Sequence, residues 1–163
     1  MSIKENLRLV KENLTDEEMV EACKTACLDE FINSLPEGYD TMIGEGGINL
    51  SGGERQRLAI ARALVQKTEI ILFDEATSAL DNETQSSIKQ AIDNMKNEYT
   101  ILIIAHRLST IMRCDRIYVM ENGEIIERGS HTELMNDKKN YYNLWKEQLP
   151  VQNGDENYEK YNN

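Results

Sequence analysis

Two apolar runs without polar alternation constrain this chain more than any other feature: Ile70-Ile71-Leu72-Phe73 and the stretch 101–105. A strand exposed on one face alternates apolar with polar residues. Continuous runs of this length read instead as parallel strands covered on both faces. Between them Ile88, Ala91, Ile92 and Met95 recur at helical spacing, the buried stripe of a connecting helix. Strand, helix and strand in this order predict an α/β domain with a mostly parallel sheet. Ligands of such sheets bind beyond the carboxyl ends of the strands, and Asp74, Glu75 and His106 all fall at those ends.

The flanking segments carry clear boundary signals. Thr15-Asp16-Glu17-Glu18 predicts a capping box, followed at helical spacing by Met19, Ala22, Cys23, Ala26, Cys27 and Phe31 until Pro36 and Gly38 stop the helix. Gly44, Gly46 and Gly47 predict a loop over residues 42–49. Ser51-Gly52-Gly53-Glu54 is a second capping box and opens a helix to about Val65. Asn122-Gly123, between residues 117–120 and 124–126, predicts a hairpin with a type I′ turn. Ser130-His131-Thr132-Glu133 caps one more helix, and a last helix is expected over 141–149. Residues 151–163 are rich in Asn and Glu without periodicity, and are expected to be a disordered tail.

Composition removes several function classes. A net charge of −11 argues against a nucleic-acid partner, which needs clustered Lys and Arg, and against polybasic attachment to a membrane surface. The apolar runs are far shorter than the roughly 20 residues of a spanning helix, so direct membrane insertion is not expected. No charged-then-apolar leader opens the chain. Three cysteines give no disulfide framework. Cys23 and Cys27, four apart on the expected helix, read as small apolar residues in a reducing compartment rather than as metal ligands.

Each chemistry-bearing motif admits a functional and a structural reading. A serine cap followed by two glycines leaves amides free at a helix N-terminus, where an anion can approach closely; it is equally an ordinary capped helix start. Asp74 is suited to a magnesium ion, which takes one or two carboxylates plus phosphates and water, and Glu75 to accepting a proton from an attacking water. The same pair would also serve to cap the following helix. His106 can position water or bond a phosphate, or be structural. Ser78-Ala79-Leu80-Asp81 is either functional or a simple turn and cap.

The order and spacing of these elements resembles the ATP-binding cassette family: signature motif at 50–54, Walker B strand at 70–75, D-loop at 78–81 and H-loop at His106. Residues 3–7, 35–41 and 129–134 are similar to exporter-type cassettes in particular. The resemblance implies a partial P-loop NTPase core of the RecA-like kind, mostly parallel, plus the family's helical subdomain. Residues 1–150 would be the C-terminal part of a nucleotide-binding domain. Of these, about 1–65 would form the helical subdomain and signature helix and 66–150 the remainder of the core.

The resemblance also implies cofactors and partners. Two cassettes of this family sandwich ATP and magnesium. Ser51, Gly52, Gly53 and Glu54 would face ATP held by a second nucleotide-binding domain, with Ser51 and Gly53 contacting its γ-phosphate. Asp74 would hold magnesium through water, and Glu75 would be the general base. His106 would contact the γ-phosphate, and Asp81 would link the two sites. The helical region would face the transmembrane domain of an exporter, placing the chain at the cytoplasmic, inner face of a cell membrane.

One departure outweighs the rest. No Gly in the sequence is followed by Lys, so no Gly-x-x-x-x-Gly-Lys-Ser/Thr phosphate loop is present. The first glutamine is Gln56, already beyond the signature, so the family's Q-loop has no counterpart, and the phosphate-loop strand is absent as well. The expectation is a fragment or split product, inactive alone and, with unpaired strand edges, marginally stable or self-associated. An alternative is the C-terminal ATPase lobe of a chromosome-maintenance or DNA-repair ATPase. The missing heptads before the signature and the acidic composition disfavour it. A non-enzymatic truncated chain is the third reading.

Overall fold

The structure, a computed structural model, describes residues 1–74, 82–105 and 108–148. Glu75, the 78–81 turn with Asp81, His106 and the 151–163 tail lie outside the described residues. The chain divides into two compact units, residues 1–106 and 107–163.

The first unit opens with helix α1 (Ile3–Arg8), capped by Ser2, whose hydroxyl accepts from the Glu5 amide while the Glu5 carboxylate accepts from the Ser2 amide at 2.8 Å. The residues around this cap clip onto a distant strip of backbone: the Ile3 amide donates to the Thr41 carbonyl and the Ile43 amide to that of Met1. Helix α2 (Asp16–Thr25) starts at the Thr15 capping box as expected. The single helix expected to run on from it is not continuous.

After the cap at Ala26 the backbone turns left-handed at Cys27, with φ of 53°. The Leu28 amide bonds the Cys23 carbonyl at 2.9 Å and the Cys27 amide bonds that of Lys24 at 3.0 Å. These are the paired bonds of a Schellman ending, in which glycine is the usual left-handed residue. Helix α3 (Asp29–Ser34) then resumes in a new direction. The periodicity ran through the break because no glycine marked it.

A 3₁₀ turn at Gly38–Asp40 leads into the expected glycine loop, where Gly44 and Gly46 both take φ of 86°. Gly47 is required by space, since a Cβ there would collide with the Met42 carbonyl. Helix α4 (Gly52–Val65) follows, then strand β1 (Ile70–Asp74), helix α5 (Asn82–Met95) and strand β2 (Thr100–Ile104). The two strands pair in parallel, Ile70 opposite Thr100 and Asp74 opposite Ile104. The crossover helix buries its expected stripe, Ile88, Ala91, Ile92 and Met95, in one core with Ile71, Phe73, Ala61 and Cys23.

Only one face of the parallel pair joins that core. Ile70, Leu72, Leu102 and Ile104 stand 64, 58, 53 and 47% exposed on the other. The expectation of strands covered on both faces is corrected here. The core residues of α4 and α5 gather with Ile71 and Phe73, and among the described residues nothing buries the opposite face. The continuous apolar run correctly marked a strand suited to two covered faces, but the covering of the second is not supplied.

In the second unit a short helix α6 (Leu108–Ile111) precedes strands β3 (Ile117–Glu121) and β4 (Glu124–Gly129), an antiparallel hairpin. Asn122 and Gly123 both have positive φ, 50° and 83°, as a type I′ turn demands. Among the described residues the sheet content is therefore one parallel pair and one antiparallel pair, rather than mostly parallel. Helix α7 (His131–Asp137) begins at the Ser130 capping box. Helix α8 (Asn140–Gln148) has its first amides taken by Glu127, at 2.7 Å for Asn140 and 3.3 Å for Tyr141. Leu108, Ile117, Leu134 and Tyr141 form this unit's core.

Candidate functional site

The start of α4 is built as its residue types require. Ser51 is extended, and its hydroxyl accepts from the Glu54 amide at 3.2 Å, while the Glu54 carboxylate accepts from the Ser51 amide at 2.6 Å. The Arg55 guanidinium donates to the Leu50 carbonyl, tying the preceding loop to the first turn. Ser51 and Gly52 are exposed and Gly53 is buried. The first amides of a helix have no partner within it, and the dipole makes that end positive. With no Cβ on Gly52, an anion can reach the turn from solvent, and the Ser51 hydroxyl keeps its own hydrogen to donate. The residues present fit a phosphate group.

Asp74 is the last residue of β1, exposed, directly across from the last residue of β2. This places it at the carboxyl edge of the parallel pair, as expected. An exposed carboxylate at a strand end fits magnesium, a hard cation that fills its remaining positions with water and phosphate oxygens. Among the described residues no hydrogen bond joins Asp74 to the turn at 51–54. The two stand as separate elements of the chain. Glu75, Asp81 and His106 lie outside the described residues, so the structure neither gathers them with Asp74 nor separates them.

Sequence reasoning missed a groove of about 460 Å³ beside α4, lined by Asn6, Ile43, Asn49, Arg55, Leu58 and Arg62 among others. Arg55 and Arg62 are seven residues apart on α4, a spacing that puts both on one face of a helix. That signal was available. What it lacked was the opposite wall, which comes from α1 and the 43–49 loop and is set by the clip between the chain start and residues 41–43. Cys23, by contrast, is fully buried, and its thiol is pushed up to about 11 chiefly by that burial, offset in part by a hydrogen bond with Tyr39. It is a core residue.

A parallel pair with a carboxylate at its edge and a glycine-rich helix start define the class: an α/β domain with a candidate anion-binding turn. A family model described as ABC transporter matches residues 1–78. ABC transporter B family member 4 of Dictyostelium discoideum is 48% identical over 151 residues, covering 93% of this chain and 20% of that protein. Multidrug resistance protein 3 of Entamoeba histolytica is 51% identical over 150 residues, 90% of this chain and 11% of that one. A solved structure of a bacterial Atm1-family ABC exporter with ATP bound superposes with a TM-score of 0.81 at 41% identity, covering 94% of this chain and 27% of the exporter. The chain belongs to the ABC transporter family, and of these relatives one is named a multidrug resistance protein and one an exporter. It spans between about a tenth and about a quarter of their lengths.

Proposed function

We propose that this chain supplies the signature side of a composite ATP site in an exporter-type ABC transporter. The observation that carries the reading is the doubly bonded cap at Ser51, which holds a hydroxyl and the exposed Gly52 at the start of a 14-residue helix. Residues 1–150 act as the C-terminal part of a nucleotide-binding domain, about 1–65 as its helical subdomain and signature helix and 66–150 as the remainder of the core. A second nucleotide-binding domain carries ATP on its own phosphate loop and docks against Ser51, Gly52, Gly53 and Glu54. Ser51 donates its hydroxyl hydrogen, and Gly53 its amide, to the γ-phosphate.

Asp74 would hold magnesium through water, Glu75 would take the proton of the attacking water, His106 would bond the γ-phosphate, and Asp81 would couple the two sites. Magnesium, when bound, neutralises charge on the phosphate oxygens. Positioning and charge compensation of this kind provide most of the acceleration in phosphoryl transfer. In the complete protein the hydrolysis drives transport across a membrane, with this region on its cytoplasmic side. The groove beside α4, apolar at Leu58 and basic at Arg55 and Arg62, suits a segment of the membrane partner carrying a carboxylate.

The experiment is ATP turnover by the intact transporter, native and with Glu75→Gln or Ser51→Arg. Glu75→Gln is expected to lower turnover by about a hundredfold or more, the usual scale of a lost general base, with ATP still bound. Ser51→Arg is expected to prevent the nucleotide-bound dimer by filling the anion position. Unchanged turnover in both variants would overturn the assignment.

A further inference from the structure

The second unit contains a titratable cluster that nucleotide chemistry does not use. His131 opens α7, and its Nδ1 lies 2.8 Å from the hydroxyl of Tyr141 on α8. The His131 ring also meets the Trp145 ring, with centroids 4.8 Å apart, while Tyr141 and Trp145 stack at 6.4 Å. Tyr141 is 1% exposed and belongs to the unit's core. One imidazole on α7 thus touches two aromatic side chains on successive turns of α8.

We propose that His131, Tyr141 and Trp145 form a proton-operated clasp that holds α8 against α7 and loosens it when the His131 ring takes up a proton. Burial pushes the Tyr141 hydroxyl up to about 12, so it stays protonated at neutral pH and can donate to a neutral imidazole. Nδ1 of His131 then accepts, and the ring carries its hydrogen on Nε2. A proton arriving at Nδ1 sets two donors face to face. The tyrosine must then reverse from donor to acceptor, and its own hydrogen turns away into the core without a partner, which weakens the contact between the helices. The Trp145 face attracts an imidazolium, whereas burial of the half-buried ring disfavours the charge and lowers the His131 pKa from its ordinary value of 6.5.

The charged groups of the surrounding elements have other duties. On β4, Glu127 accepts from the Asn140 and Tyr141 amides. On α7, Glu133 accepts from the Ser130 amide at 2.7 Å and from its hydroxyl at 3.0 Å, and Arg116 ahead of β3 favours its charged form. Asp137 pairs with Lys139 at 3.5 Å. On α8, Lys146 lies over the Tyr142 ring at 4.6 Å. Cys114, ahead of β3, acts on the Tyr141 hydroxyl. The sign follows from the lowered pKa. The clasp is at full strength above about 6.5 and weakens as pH falls through the folded-state value.

Trp145 is the one tryptophan of the chain, which makes the test direct. Its emission and the amide exchange of α8, corrected for intrinsic rates, are followed in the full 163-residue chain from about pH 8 to pH 5, the range in which histidine titrates. Both are expected to change with one midpoint below 6.5, α8 exchanging several-fold faster on the acid side while α4 stays unchanged. In His131→Gln both transitions should vanish. In Tyr141→Phe, α8 should already exchange fast at pH 8. Flat α8 exchange, an emission change without an exchange change, acceleration that persists in His131→Gln, or acceleration shared by α4 would each overturn the clasp.

Discussion

Cys27 takes a left-handed backbone at the end of α2 that glycine would adopt without cost. A residue with a Cβ gives up about 1–2 kcal/mol there, and a β-branched one more. Cys27→Gly is therefore expected to raise the unfolding midpoint, reduced somewhat by loss of the sulfur's contact with Asn94 Nδ2 at 3.8 Å. Cys27→Val should lower it. Denaturant titrations of the two variants check this by sign alone. Glu18 offers a second residue-scale test. Hydrogen bonds from Lys11 and Lys67, both at 2.8 Å, with a smaller contribution from the Thr15 amide, bring its carboxyl down to about 2. A depressed pKa contributes stability that is present above the unfolded value near 4.5 and is lost as pH falls towards 2. Thermal midpoints of the native chain and Glu18→Gln should thus differ at pH 6 and converge near pH 2. The three groups are partly exposed to solvent, so the difference should be small and shrink in high salt.

At the scale of elements, the same local device recurs. Ser2, Thr15, Ser51 and Ser130 each close a reciprocal cap with a glutamate three residues on. Three of these were legible from spacing. The one at Ser2 carried the same signal in Ser-Ile-Lys-Glu but heads a helix of only six residues, too short to display a periodicity. The hairpin and the crossover helix were legible for the same reason, since their signals lie within a turn or two of chain. The parallel pair was legible as strands but not in its exposure. Its free face, Ile70, Leu72, Leu102 and Ile104, is expected to make the isolated chain self-associate. Leu72→Lys with Ile104→Lys should reduce that association in sedimentation velocity. A native chain that stays monomeric at all concentrations would contradict the expectation.

For the whole molecule, the two halves of the candidate site differ in kind. The turn at Ser51 is complete in itself, because a cap and two glycines need only their own helix. Asp74 needs company, and Glu75, Asp81 and His106 fall outside the described residues, so their roles rest on the family pattern. No Gly-Lys pair occurs in these 163 residues. The chain by itself is therefore expected to bind magnesium-ATP too weakly to shift its thermal midpoint at millimolar nucleotide. Binding at a hundredfold excess over Kd would add about 2.7 kcal/mol and be plainly visible. A clear upward shift would mean that these residues assemble a phosphate site without the usual loop.

Caps, the type I′ turn, the buried stripe of α5 and the motif order were determined by the sequence alone, because each depends on interactions between residues a few positions apart. The break at Cys27, the clip of residues 1–3 onto 41–43, the walls of the groove beside α4, the single covered face of β1 and β2, and the meeting of His131 with Tyr141 and Trp145 were decided by the tertiary structure. Each depends on which surfaces come together and which remain bare, and burial is a property of neighbours that no local spacing encodes.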